Sequence, residues 1–246
     1  MAVKQLNTDC LDFMKGISDK SFDLGSADPP YFKGVGKMGY FGRVNSSIGV
    51  KRGKYEVPTW DNFLPTKQWF DEFKRCSVNQ IVWGANYFDF IGPVHPTPRR
   101  NDLQTWINEH PSGWIVWDKL NGNTAFNDFE LAWTSFDFPT EVFTFLWSGM
   151  IQGVSLQHPT MMQGNKKLNQ KRIHPTQKPK QLYEWQFKKF VKPGQSILET
   201  HLGSGSAAIV AEKLGLDMVA TEINETAFNA AVRRFNKETD LGLFKV

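Results

Sequence analysis

The sequence predicts an α/β fold: a mostly parallel sheet covered by helices on both faces, with an antiparallel hairpin at one edge and two basic loop insertions. Three observations carry this reading. Short apolar runs alternate with amphipathic helical segments along most of the chain, the pattern of strand–helix–strand crossovers. The block from Ser196 to Asn224 reads strand, glycine turn, helix, strand, acid. Two apolar runs, Phe129–Trp133 and Glu141–Trp147, are separated by only a short turn and read as a hairpin. The chain has 246 residues and is 40% hydrophobic. That is enough for a sizeable core, it excludes disorder over the whole length, and it suits a single domain over 1–246.

In chain order, Val3–Leu6 is a short strand and Leu11–Met14 opens a short helix. Phe22–Ala27 is a buried strand. Residues 32–58 are rich in Gly, Lys and Ser and read as a long loop. Thr66–Cys76 is an amphipathic helix, with Trp69, Phe70 and Phe73 at helical spacing. Gln80–Trp83 and Trp114–Trp117 are buried strands, and the proline-broken stretch between them is a loop. After the expected hairpin, residues 148–175 are again loop-like and basic. Pro179–Phe190 is a helix, stopped by Lys192-Pro193-Gly194, with Thr176 as a candidate cap. Ser196–Glu199 is a strand and Ala207–Leu214 a helix; Met218–Thr221 and Glu225–Phe235 are the last strand and helix.

Net charge is only +4, but its distribution is polar. Residues 32–55 hold Lys33, Lys37, Arg43, Lys51, Arg52 and Lys54 without an acid, and residues 142–183 hold Lys166, Lys167, Lys171, Arg172, Lys178 and Lys180, again without an acid. The other seventeen basic residues face all twenty-five acids, a net of −8. Such a molecule suits a polyanion on one face. The two cysteines, Cys10 and Cys76, have no metal-ligand spacing to the histidines. This excludes a disulfide framework, gives no metal site and points to a reducing compartment. With no apolar signal core near the start and no membrane-length apolar run, the expectation is a soluble, cytoplasmic chain without membrane contact.

Two motifs stand out. The strand 22–27 ends in Asp28-Pro29-Pro30-Tyr31, an acid, two rigid residues and an aromatic ring, where a plain turn needs only one Pro or Gly. In the C-terminal block, Gly203 and Gly205 permit a tight turn and close backbone approach at a helix N-terminus. Glu222 ends the next strand about twenty residues on, where an acid can accept both hydroxyls of a ribose. The third glycine of a dinucleotide fingerprint is missing, since Ala208 stands near its place, so an adenosyl ligand without phosphates fits better than a pyrophosphate.

"ADPPY" (27–31), "HPTQKP" (174–179) and "ETHLGSGS" (199–206) together resemble the DNA amino-methyltransferases that use S-adenosylmethionine (AdoMet), and their order resembles the circularly permuted beta class. The resemblance covers nearly the whole chain. It implies a Rossmann-like methyltransferase sheet, double-stranded DNA as partner, and a homodimer, since relatives of this class often pair. It places catalysis on Asp28, Pro29, Pro30 and Tyr31. Cofactor contacts fall to Asp9, Cys10, Asp28, Thr176, Lys178, Pro179, Glu199, His201, Gly203, Ser204, Gly205, Glu222 and Ile223. DNA contacts fall to Lys33, Lys37, Arg43, Lys51, Arg52, Lys54, Lys166, Lys167, Lys171 and Arg172. "FELAWTSF" (129–136) resembles the segment lining the target-base pocket, with Phe32 and Trp133 as further pocket candidates. Glu199-Thr200-His201 departs from the family's usual Asp-Pro-Phe, and 148–173 is a short target-recognition insertion.

The implied chemistry fits the DPPY residue types. An exocyclic base amine is a poor nucleophile because its lone pair is delocalised into the ring. The Asp28 carboxylate and the Pro29 carbonyl can accept its two hydrogens, and Tyr31 can stack on the base. Asp at the first position favours adenine N6 by resemblance. Cytosine N4, an RNA substrate, and a DNA-binding relative without turnover are the alternatives.

Overall fold

The computed structural model describes residues 3–31, 64–121, 127–148, 151–174 and 176–239. Its centre is an eight-stranded sheet in the order β1-β10-β9-β2-β3-β5-β4-β6. The strands are β1 (Lys4–Asn7), β2 (Phe22–Ala27), β3 (Ser77–Trp83), β4 (Trp114–Asp118), β5 (Phe129–Thr134), β6 (Glu141–Thr144), β9 (Ser196–Glu199) and β10 (Asp217–Glu222). β7 (Trp147–Ser148) and β8 (Ile151–Gln152) form a separate antiparallel ribbon. All pairings in the large sheet are parallel except those of β5, which is antiparallel to both β3 and β4. The mostly parallel α/β fold with an antiparallel segment is therefore as expected.

The expected hairpin is not. β5 and β6 do not pair; β6 lies on the far side of β4 and runs parallel to it. The connection 135–140 hooks under the start of β4, where Gly113 N donates to Phe138 O (2.9 Å) and Thr140 N to Pro111 O (2.9 Å). β5 has no free edge, because β3 and β4 already occupy both. The antiparallel strand is thus inside the sheet, and the short turn carries the chain past β4 rather than back on itself.

Helices α1 (Cys10–Lys15), α2 (Lys67–Cys76) and α3 (Leu103–Glu109) pack on one face; α4 (Lys180–Phe190), α5 (Ser206–Lys213) and α6 (Glu225–Thr239) pack on the other. α3 follows the stretch 92–102 read as loop, in residues to which sequence reading gave no element. α2 starts where Thr66 Oγ1 accepts from Trp69 N (3.2 Å), a cap worth about 1 kcal/mol. It buries Trp69, Phe70, Phe73 and Cys76 and runs directly into β3. α4 begins after Pro179, without a side-chain cap; Thr176 instead pairs with His174 Nδ1 (3.2 Å). The crossover through α2 leads from β2 outward to β3, and the one through α5 leads from β9 outward to β10, on opposite faces. The crevice between β2 and β9 is therefore a switch point of the sheet, where α/β folds bind ligands at the carboxyl ends of strands. Among the described residues no helix is long and apolar enough to cross a membrane.

Candidate active site

Asp28 follows the last residue of β2 and so sits at this switch point. Its carboxylate Oδ1 is 2.5 Å from the Lys178 ammonium, which comes from just before α4. The same ammonium lies 3.1 Å from Glu130 Oε2 on β5. Glu130 Oε1 accepts from Lys119 Nζ (3.2 Å), and Glu130 Oε2 also accepts from the Tyr31 hydroxyl (3.1 Å). Two carboxylates, two ammonium groups and a phenol thus form one cluster. Lys178 is 3% exposed.

Burial decides the titration of this cluster, modified by the neighbours. It pushes the Asp28 carboxyl up, with Glu130 adding and Lys178 opposing. Burial also pushes Glu130 up, but the ammonium groups of Lys178 and Lys119 outweigh it and hold Glu130 at about 2. For Lys178 burial acts downward, and the carboxylates of Asp28 and Glu130 outweigh it, so the ammonium stays charged. Tyr31 is pushed above the usual phenol range by burial and by both carboxylates. The cluster sets two carboxyl groups against two ammonium groups.

Ser206 Oγ, in the first turn of α5, donates to the Lys178 carbonyl (2.9 Å), and Arg234 Nη1 on α6 donates to Ser206 Oγ (3.0 Å) and Ser204 O (3.0 Å). Lys178 is thereby fixed by its backbone to the helix that follows the glycine turn. Sequence reading placed Lys178 with the cofactor; its ammonium lies on Asp28.

The glycine turn lies next to this cluster. Gly203 and Gly205 have φ of +53° and +73°. Among the described residues, a Cβ on Gly203 would meet nothing nearer than His201 O at 3.8 Å. Glu222 faces the turn at the end of β10; its Oε2 accepts from Gly203 N (3.0 Å) and its Oε1 from Asn224 N (3.0 Å). Ile223 beside it is 62% exposed, an apolar side chain at the rim. β1 brings Asp9 and Cys10 to the same edge, since Asn7 Nδ2 and Thr8 N both donate to Glu222 O. Asp9 Oδ1 caps α1 through Leu11 N (2.8 Å) and Asp12 N (3.1 Å). Burial pushes the half-buried Cys10 thiol up to about 12, so it is no thiolate.

Glu199 and His201 turn inward. Glu199 is 1% exposed, accepts from Ser26 Oγ (2.9 Å) and His201 N (3.3 Å), and is held at about 8 by burial. Gln186 and Trp83 extend this network into the core. His201 packs edge-on to Trp69, and burial lowers it to about 4. Trp133 packs edge-on to Phe70 and, like Tyr31, lies partly buried against the cluster on the α2 face.

Of the basic candidates, Lys166, Lys167 and Lys171 are exposed, and Arg172 lies 4.5 Å over the Trp147 ring. They sit in the segment after β8, with exposed Met161, Met162 and Leu168. The Gln152 side-chain amide braces it, donating from Nε2 to Gln170 O (3.0 Å) and accepting at Oε1 from Gln170 N (2.8 Å). Lys33, Lys37, Arg43, Lys51, Arg52 and Lys54, with Phe32, lie outside the described residues. Lys119 and Glu130 were not singled out from sequence.

Residues 106–233, just over half of the chain, match the N6/N4 family described as DNA methylase. Type II methyltransferase M.HinfI from Haemophilus influenzae is 26% identical over 254 residues, 94% of this chain and 68% of that one. Type II methyltransferase M2.LlaDCHI from Lactococcus lactis subsp. cremoris is 24% identical over 264 residues, 97% of this chain and 91% of that one. Among solved structures, the M1.HpyAVI–SAM complex aligns with a TM-score of 0.51 at 14% identity, over 94% of this chain and 99% of that one. The cytosine-N4-specific PvuII DNA methyltransferase aligns with a TM-score of 0.51 at 15% identity, over 98% and 91%. These structural likenesses establish the fold.

Proposed function

The chain belongs to the N6/N4 DNA methylase family, and on that premise we propose that it is an AdoMet-dependent DNA methyltransferase acting on adenine N6 of a base flipped out of the duplex. The observation that carries the reading is the position of Asp28. It follows a central strand at the switch point, next to the glycine turn, with a buried ammonium against its carboxyl.

The residues present suit AdoMet. The Gly203–Gly205 turn lets the ligand approach the backbone, Glu222 offers carboxylate lone pairs for ribose hydroxyls, and Ile223 gives an apolar surface for a purine. Asp9 and Cys10 close the same edge. When bound, AdoMet supplies a methyl group made electrophilic by its sulfonium.

The protein's part is to make the amine nucleophilic. Asp28 and the Pro29 carbonyl accept the two amine hydrogens, which draws the nitrogen toward a tetrahedral shape. The prolines fix their own φ, so the carbonyl is held without further ordering. Positive charge grows on the nitrogen during transfer, and the Asp28 carboxylate stabilises it there more than in the ground state. Lys178 opposes the rise that burial imposes on that carboxyl. Tyr31 stacks on the base. Flipping costs a few kcal/mol, offset by phosphate contacts from Lys166, Lys167, Lys171 and Arg172 and from the basic stretch 32–55. The insertion 148–173 reads the DNA sequence from a single domain spanning 1–246.

The test is incubation with labelled AdoMet and unmethylated DNA, digestion to nucleosides and mass analysis. N6-methyladenine is the expected product. N4-methylcytosine keeps the site and overturns the base; binding of AdoMet and DNA without any methyl product overturns the activity.

A further inference from the structure

Beside DPPY is a concavity lined by Tyr31, Gly84, Asn86, Tyr87, Asn127 and Glu130, among others. Tyr31 and Tyr87 stack in it with ring centroids 5.7 Å apart and planes within 4° of parallel. Different parts of the chain hold the two rings. Tyr31 donates to Glu130, and the Lys178 ammonium lies 5.6 Å from its ring centroid. The Tyr87 hydroxyl is 2.9 Å from Thr97 Oγ1 and accepts from Asn127 Nδ2 at 3.5 Å. Gly84, with φ +70°, lies so close to the Tyr31 ring that a Cβ would stand 2.1 Å from it.

We infer that Tyr87 is the second face of the target-base slot, and that Tyr31 and Tyr87 fill the slot with their own stack until the base enters between them. The inference rests on the base-flipping reading above. Stacked bases are spaced about 3.4 Å apart, so two rings with a base between them stand about 7 Å apart. At 5.7 Å the pair is closed to a base. The arriving base exchanges one ring–ring contact for two ring–base contacts, and each base–aromatic stack is sequence-tolerant and strong.

A second observation points to a ligand here. Asn86 is 1% exposed, and its Nδ2 donates to His95 O (3.0 Å). Its Oδ1 is buried without a hydrogen-bond partner among the described residues. A buried unsatisfied acceptor in a cavity wall calls for a donor.

The experiment compares wild type, Tyr87→Leu and Tyr87→Phe on unmethylated bacteriophage lambda DNA, with AdoMet affinity measured by calorimetry. Tyr87→Leu keeps apolar volume but has no π face. It should lose at least about tenfold in kcat/KM for DNA with AdoMet affinity unchanged, and Tyr87→Phe should lose less. Methylated positions mapped in lambda DNA define a duplex for the second measurement. Wild-type protein is photo-cross-linked to that duplex with 5-iodouracil at the target position, and the adduct should map to Tyr87 as well as Tyr31. Wild-type transfer with undiminished kcat/KM in Tyr87→Leu, or an adduct that never includes Tyr87, overturns this inference alone. Absence of transfer by wild type, with AdoMet still bound, overturns the proposed function and this inference with it.

Discussion

Replacing Lys178 with Met removes the ammonium that Asp28 and Glu130 share and leaves a chain of similar length in its place. The structure sets the size of the effect. Lys178 is 3% exposed, so solvent screens little of its interaction. Removing one partner of a buried pair costs about 3–5 kcal/mol. Glu130 supports this scale independently: it stands at about 2 against an ordinary 4.5, worth about 3 kcal/mol. For a chain of this size the melting temperature should fall by about 6–20 °C. The pH dependence is the sharper readout. In the wild type Glu130 is depressed, so its contribution is present above pH 4.5 and is lost as pH falls toward about 2. In the variant both carboxyls rise, folding takes up protons, and stability recovers as pH falls. The gap in melting temperature between the two proteins should be widest near pH 8 and narrow toward pH 5, as followed by differential scanning fluorimetry. Transfer should drop at neutral pH, because a protonated Asp28 is a poor acceptor, and regain part of its rate toward pH 9. A gap under about 2 °C, or one independent of pH, would refute the reasoning.

Three further outcomes are expected. Asp28→Ala should lower kcat by at least about 100-fold while AdoMet affinity, read by calorimetry, stays near wild type; lost AdoMet binding in a folded variant contradicts the assigned role. Glu222→Ala leaves Gly203 N and Asn224 N without their acceptor and should weaken AdoMet by about tenfold with DNA affinity unchanged; equal AdoMet affinity removes Glu222 from the site. Reversing Lys166, Lys167 and Lys171 to Glu should raise the DNA dissociation constant and reduce the slope of log K against log salt by about 2–3; an unchanged slope in a filter-binding titration means that this segment does not meet phosphate.

Local signals proved the most legible in the sequence. The strand ending in Asp28 and the turn at Gly203–Gly205 are marked by residues whose backbone demands are fixed within a few positions. Thr66 marks the start of α2 in the same way, and each element formed close to where it was read. The place of β5 could not be read from its own residues, because strand order depends on which edges earlier pairs leave open. Its turn was short enough for a hairpin, yet β3 and β4 had taken both sides. α3 has only seven residues, too few for the apolar period to stand out against its polar neighbours. Glu130 and Lys119 escaped notice for a related reason. An acid between Phe129 and Leu131 in an apolar strand signals a buried partner, but the partner, Lys178, is 48 residues away and on a different element.

Among the described residues β1 pairs with β10 alone and forms one edge of the sheet. Its partner is made some 210 residues later, a wait on the order of 10–40 s at ribosomal speed. Through that interval the first strand of the chain has nothing to join. Its four residues, Lys-Gln-Leu-Asn, suit such a wait, being short and mostly polar, a poor template for sticking to another chain. The edge where Asn7 and Thr8 meet Glu222 then closes late in synthesis. A nascent chain can hold Asp28 at the end of its strand long before β10 brings Glu222 to the glycine turn.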